Sequence, residues 1–172
     1  NSLFGENGAI VASAWLASKL TSFSMETITL YLPIILPSLT GILVLLIGHL
    51  LGFSAMGLVA GLITVSSNIF LVRTRAGYFD TDLLTLIIPL VLIYLLLRVI
   101  KTNNFKNALV ASLLLTTQTF FYNNAPLLSE VIIITFIVFT ALLRRDNLSH
   151  LGSILILLPA MISFDLPTSI RI

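Results

Sequence analysis

Four polar side chains stand inside otherwise apolar stretches of the sequence and could form part of a proton path: Glu130, Gln118, His49 and Asn68. Glu130 lies near the head of the run SEVIIITFIVF, four residues after Pro126. Glu130 and His49 are ionisable, and ionisable groups deep in an apolar segment are expensive to bury and often functional, whereas the amides of Gln118 and Asn68 could line a hydrated path; all four are proton-path candidates. Structural roles remain open as alternatives: an interfacial acid for Glu130, interhelical hydrogen bonds for Gln118 and Asn68, and a structural or interfacial histidine for His49.

The residue types of the chain give little support for a metal site, a disulfide or a catalytic set of side chains. The chain has no cysteine, which excludes disulfides and thiolate metal sites, and it has two histidines, His49 and His150. Asp80 and Asp82 of the segment FDTD would point to different sides of a helix, so we interpret them as an interfacial cap of the helix that follows. We therefore expect no metal, no cofactor and no self-contained catalytic set.

Four glycines form two pairs, each with one helical turn between its members. Gly48 and Gly52 lie in GHLLG, and Gly57 and Gly61 lie in GLVAG. Small residues at this spacing share a helix face and let two membrane helices approach closely, where van der Waals packing replaces the missing hydrophobic drive. We predict that these four glycines pack helices together. A ligand-lining or hinge role is the alternative.

The composition indicates what surrounds these residues. The chain has 172 residues, of which 58% are hydrophobic and 9% charged, and its mean hydropathy is +1.10. Soluble domains carry about 25% charged residues, so most of this surface must face lipid. The formal net charge of +2 is too small to indicate a nucleic-acid partner. We predict a multi-pass integral membrane protein whose only expected ligands are lipids.

The apolar runs predict an all-α helical bundle rather than a membrane barrel. Within lipid, backbone groups must be satisfied inside the segment, and an alternating apolar/polar pattern is absent. Residues 9–23, with Trp15 and Lys19, predict a short interfacial or partly buried helix, with a seventh membrane helix as the alternative. One membrane domain, residues 1–172, would contain six spanning helices over residues 30–53, 54–72, 83–100, 108–122, 127–143 and 148–164.

Residues 83–145 combine a helix, a basic loop, a second helix, an NNAP loop and a helix headed by Glu130, as in LLLRVIKTNNFKNALVASLLL and NNAPLLSEVIII. This order resembles the small membrane subunits of respiratory complex I, multisubunit cation/proton antiporters and membrane-bound hydrogenases. The resemblance implies a three-helix unit with Glu130 as its acid. Several of those subunits carry a buried acid in the middle helix, where this chain has LLLTTQ, so it implies a structural or path-lining subunit.

Three functions are weighed on these observations. The favoured one is a small non-catalytic subunit of an energy-transducing complex that couples electron transport to proton or cation movement. Its partners would be other integral membrane subunits and lipids, in a prokaryotic plasma membrane or the mitochondrial inner membrane. An autonomous channel or transporter is the first alternative, although no paired intramembrane charges are found. An integral membrane enzyme is the least favoured.

Overall fold

The structure, a computed structural model, describes residues 8–76, 84, 86–102, 104–121, 126–143 and 157. All regular secondary structure in these residues is helical. The chain divides into two compact units, residues 1–90 and residues 91–172. The helices of the described residues are α1 (Gly8–Thr21), α2 (Met25–Leu51), α3 (Ser54–Ser66), α4 (Asn68–Arg73), α5 (Ile87–Thr102), α6 (Phe105–Phe121) and α7 (Pro126–Leu143).

The longest helix, α2, begins at Met25 rather than at residue 30, where the apolar run starts. Ser24 caps it, because the Thr27 amide donates to the Ser24 hydroxyl at 3.2 Å. Glu26 lies in the first turn, where the helix dipole favours a negative charge. At 1.5 Å per residue α2 extends about 40 Å, more than the roughly 30 Å of a bilayer core. Of the described helices, α2 is the one long and apolar enough to cross a membrane.

The span expected over residues 54–72 is divided in two at Ser67. The backbone of Ser67 is extended, with φ −66° and ψ 139°, and its amide donates to the Thr64 carbonyl at 3.3 Å. Its hydroxyl accepts from the Phe70 amide at 3.4 Å and so caps α4. Serine hydroxyls offer the backbone local partners outside the helix, which explains why an apolar run can be interrupted here.

The outer surfaces of α2 and α3 are apolar. Ile35, Met56 and Ile63 are all more than half exposed, and α3 contains no charged residue. Water contact would penalise this surface by about 25 cal/mol per Å² of apolar area, whereas lipid would not. The chain is a helical membrane protein. Six spans remain a prediction, and the last predicted span, residues 148–164, lies outside the described residues except for Leu157.

The second unit packs α5, α6 and α7 around one apolar core. These helices overlap the spans predicted over residues 83–100, 108–122 and 127–143. Helix α7 begins at Pro126, whose missing amide proton is not needed in a first turn. The buried side chains recur at three- and four-residue spacing, as expected when one face of each helix turns inward. They are Leu92, Leu95, Leu96, Val99, Ala108, Ala111, Leu115, Ile133 and Phe136, together with Leu157.

Candidate functional site

The best-defined local geometry of the first unit is the hairpin that α2 and α3 form through the turn at Gly52 and Phe53. Gly52 has φ +89°, the left-handed conformation that glycine adopts without steric cost. The Gly52 amide donates to the His49 carbonyl at 3.1 Å, and the Phe53 amide donates to the Gly48 carbonyl at 2.8 Å. This pair of bonds is the Schellman arrangement, which satisfies the last carbonyls of α2 and reverses the chain.

Beyond the turn, the backbones of α2 and α3 touch at two levels. A Cβ atom on Gly57 would lie 2.9 Å from the Cα atom of Gly48, and a Cβ atom on Gly61 would lie 2.6 Å from the carbonyl oxygen of Gly41. Real Cβ atoms essentially never come within 3.0 Å of another heavy atom. The contact therefore exists because these positions carry no side chain.

The structure separates the four glycines that the sequence grouped together. Gly48, Gly57 and Gly61 lie at the contact between α2 and α3, whereas Gly52 forms the turn, where a Cβ atom would meet nothing within 4 Å. Gly41 also takes part in the contact and was missed by the sequence reasoning. The spacing could have identified it, because Gly41 lies two helical turns before Gly48 and therefore on the same face of the helix.

The polar candidates of the first unit lie at helix ends. His49 is exposed in the last turn of α2, and its Nδ1 atom lies 2.9 Å from the Ser54 hydroxyl at the start of α3. This hydrogen bond spans the turn and helps to close the hairpin. Asn68 is the first residue of α4 and is exposed, so it does not lie within a continuous span. No hydrogen bond joins His49 to Asn68.

The other two candidates belong to the second unit. Glu130 lies in the second turn of α7 and is half-buried, directly after the fully buried Ser129. Within the part of the chain that the structure describes, Glu130 forms no ion pair. Gln118 is a residue of α6. Glu130 therefore lies beyond the first turn of α7, the only turn in which the helix dipole strongly favours a carboxylate.

Two buried threonines were not identified from the sequence. The hydroxyls of Thr40 in α2 and Thr140 in α7 are buried and have no hydrogen-bond partner among the residues that the structure describes. Thr64 and Thr135, in contrast, donate to the carbonyls of Ala60 and Val131 one turn earlier. Leaving a buried hydroxyl unpaired costs about 1–3 kcal/mol, so Thr40 and Thr140 are sites where stability is lost.

Among the described residues, no three His, Cys, Asp or Glu side chains lie close enough together to hold a metal ion. Asp80, Asp82 and His150 lie outside the described residues. The carboxylate pair of FDTD has to be considered from its chemistry alone.

Comparison with known proteins assigns the family. The family model described as "Oligosaccharyl transferase STT3, N-terminal" matches residues 8–171. The chain is also 30% identical over 138 residues to the undecaprenyl-diphosphooligosaccharide–protein glycotransferases of Campylobacter jejuni subsp. jejuni serotype O:2 and of Campylobacter jejuni strain RM1221. Each alignment covers 80% of this chain and 19% of the relative, so the chain spans about a fifth of the length of these curated relatives.

These matches overturn the functional prediction. The resemblance of residues 83–145 to complex I, antiporter and hydrogenase subunits is wrong, because the family match includes all of those residues. It rested on a basic loop, a proline at a helix start and an early acid, which stabilise the ends of any membrane helix. A role as a respiratory or cation-translocating subunit is likewise wrong, as are proton and electron transport.

The proton path considered for Glu130, Gln118, His49 and Asn68 loses its basis with that function. The multi-pass membrane location is kept, whereas an energy-transducing membrane has no support from these relatives. The match extends over nearly the whole sequence, from α1 to beyond the last described residue. The chain belongs to the oligosaccharyl transferase STT3 family, in whose N-terminal part residues 8–171 lie.

Proposed function

We propose that this chain is the membrane part of an oligosaccharyl transferase, which moves an oligosaccharide from a polyisoprenoid diphosphate to a protein. The observation that carries the proposal is the family match over residues 8–171. The two relatives are named for an undecaprenyl-diphospho-oligosaccharide and for transfer to protein. In such a transfer the bond between the first sugar carbon and a phosphate oxygen breaks, a bond from that carbon to an acceptor atom forms, and the polyisoprenoid diphosphate leaves.

The apolar helices suit a donor of this kind. An isoprenoid chain partitions into the bilayer, since each buried CH₂ group contributes about 0.8 kcal/mol. A membrane-embedded protein can then meet the donor at the bilayer surface while its helices stay in lipid. We assign to the α2–α3 hairpin the role of a rigid scaffold, because contact between two backbones leaves little freedom for sliding. Further subunits remain possible partners of the complete transferase.

A diphosphate-linked donor suggests a different role for Asp80 and Asp82 from the helix cap expected from the sequence. A diphosphate leaving group carries negative charge, which enzymes commonly neutralise with a divalent cation. Carboxylate oxygens are the ligands that Mg²⁺ and Mn²⁺ prefer, and side chains two apart point the same way on an extended backbone. We propose that Asp80 and Asp82 hold such a cation, in place of the helix cap and the absence of metal expected from the sequence.

The transferase proposal is tested with the protein at its natural length, purified from membranes in detergent. It is incubated with an undecaprenyl-diphosphate-linked oligosaccharide and a mixture of proteome-derived peptides, and the products are analysed by mass spectrometry. We expect peptides whose mass has increased by that of the oligosaccharide, with release of undecaprenyl diphosphate. Hydrolysis of the donor without any modified peptide, or no consumption of donor at all, would contradict the proposal.

The carboxylate pair is tested in the same assay with Asp80→Asn and Asp82→Asn. Each change removes one anionic ligand, and we expect transfer to fall at least about 100-fold, as for loss of an important electrostatic contact. Glu26→Gln is the matched control, because Glu26 is an exposed carboxylate at the start of α2. Chelation should abolish transfer and added Mg²⁺ or Mn²⁺ should restore it. Full activity of both Asp variants would refute the cation site and leave the transferase proposal standing.

A further inference from the structure

Helix α1 presents an apolar surface that no other described helix covers. Two adjacent rows of side chains form it, one with Val11, Trp15 and Lys19 and the other with Leu16 and Leu20. Trp15 is 56% exposed and Leu20 is 76% exposed. Ala14, on the opposite side of the helix, is fully buried. Helix α1 therefore packs on the protein through a narrow face and leaves a broad one open.

This surface carries one charge, and the charge is positive. Lys19 is the single ionisable residue in the sequence of α1, and the helix has no acidic residue. The Lys19 ammonium lies 5.9 Å from the centroid of the Trp15 ring, within the range of a cation–π interaction. The cation is therefore held beside the aromatic ring, in the last turn of α1.

The start of α2 indicates where α1 lies relative to a bilayer. The two helices are joined by residues 22–24, and the Ser18 hydroxyl donates to the Phe23 carbonyl at 2.9 Å across this connection. Since α2 is long and apolar enough to cross a bilayer and its cap is Ser24, a spanning α2 would place the end of α1 close to the bilayer boundary. The 14 residues of α1 extend about 21 Å, too short to cross roughly 30 Å of hydrocarbon.

We propose that the exposed face of α1 docks on an anionic phospholipid surface. Trp15, Leu16 and Leu20 lie at the boundary between headgroups and acyl chains, where tryptophan is favoured, and the Lys19 ammonium pairs with lipid phosphates. Two observations select lipid as the occupant: α1 is joined by a short connection to α2, which is long and apolar enough to cross a bilayer, and its otherwise apolar face carries a lone cation. The surface is independent of glycosyl transfer.

The depth of Trp15 provides the first test, because it is the only tryptophan in the 172 residues. The 172-residue chain is reconstituted in vesicles of equal parts phosphatidylcholine and phosphatidylglycerol, with bromine atoms placed either near the headgroup or near the end of the acyl chains. We expect the shallow bromines to quench Trp15 fluorescence about twofold more strongly than the deep ones. Stronger quenching by the deep bromines would show a spanning helix, and absence of quenching would show a protein covering; either overturns the proposal.

The choice of an anionic lipid is tested by brominating one lipid at a time. Brominated phosphatidylglycerol should quench Trp15 about twofold more than brominated phosphatidylcholine, because Lys19 enriches anionic lipid around α1. Lys19→Gln should make the two lipids equal, whereas Lys106→Gln, which changes an exposed lysine of α6, should keep the preference. Equal quenching in the unmodified chain, or a preference that survives Lys19→Gln, would overturn the pairing of Lys19 with lipid phosphate.

Discussion

A Cβ atom on Gly48 would lie 2.5 Å from the Cα atom of Gly57, so α2 and α3 meet backbone to backbone. One level further from the turn, a Cβ atom on Gly61 would lie 2.6 Å from the Gly41 carbonyl oxygen, so the two backbones are equally close there. Because two membrane helices gain no hydrophobic energy by leaving lipid, such close packing is what holds the hairpin together.

Gly48→Ala should separate the two helices. The added methyl group would meet backbone atoms that cannot move aside, and we expect a loss of about 1–3 kcal/mol in the free energy of unfolding. Denaturation of the detergent-solubilised chain measures this loss. The chain has no cysteine, so spin labels on cysteines introduced at Leu46 and Leu58 should also report a longer distance between α2 and α3.

The control for this variant is Gly41→Ala. A Cβ atom on Gly41 would come closest to the Cγ1 atom of Val65, at 3.1 Å, and the end of a side chain can shift. We expect Gly41→Ala to change stability by less than about 1 kcal/mol, since alanine also lowers the entropy of the unfolded chain. Equal losses for the two variants would mean that backbone contact does not govern the hairpin.

Gly52→Ala tests the turn rather than the contact. Nothing lies within 4 Å of the added methyl group, so any cost arises from the left-handed backbone at φ +89°. We expect a loss of about 1 kcal/mol for alanine and a smaller loss for Gly52→Asn, because asparagine tolerates this conformation better. The same denaturation measurement compares them. An alanine variant as stable as the unmodified protein would argue against this turn geometry.

Ser24→Ala should weaken the start of α2. It removes the hydroxyl that accepts from the Thr27 amide, and losing such a cap costs about 1 kcal/mol. Amide hydrogen exchange in the first turn of α2 should then become about fivefold faster. Ser38→Ala is the matched control, because the exposed Ser38 hydroxyl donates to the Ile35 carbonyl within the helix and caps nothing. Equal acceleration by both variants would exclude capping as the cause.

Thr140→Val should stabilise the second unit. Valine has nearly the shape of threonine and removes a buried hydroxyl without a partner, so we expect a gain of about 1 kcal/mol in the free energy of unfolding. Thr135→Val, at an exposed position whose hydroxyl donates to the Val131 carbonyl, should change it by less than about 0.5 kcal/mol. Destabilisation by Thr140→Val would show that its hydroxyl has a partner in the intact protein.

The sequence predicted where the helices lie along the chain. It predicted the residues at which they begin and end less accurately. The apolar runs overlap α2 and α5 to α7, but α2 starts at the Ser24 cap and the run over residues 54–72 is interrupted at Ser67. In both places one serine hydroxyl decides the boundary through hydrogen bonds to nearby amides, and hydropathy does not register such bonds.

The family was not recognised from the sequence because helix-end chemistry is generic. The basic loop after α5, Pro126 and Glu130 would stabilise helices in many membrane proteins and identify none of them. Asp80 and Asp82, interpreted from the sequence as a helix cap, lie outside the described residues, and the cation site proposed for them stays a prediction. Only the match over residues 8–171 distinguished a glycosyl-transferring family from an ion-translocating one.

Composition alone determined that this chain is helical and lies in lipid, since apolar surroundings force each backbone amide to find its partner within a few residues. Only the tertiary structure showed that Gly48 contacts Gly57. Gly52, the other glycine of GHLLG, forms the turn instead. The physical reason is that glycine spacing marks a face capable of close contact, whereas the partner of that face depends on where the chain reverses. That reversal is set by a single residue in the left-handed conformation.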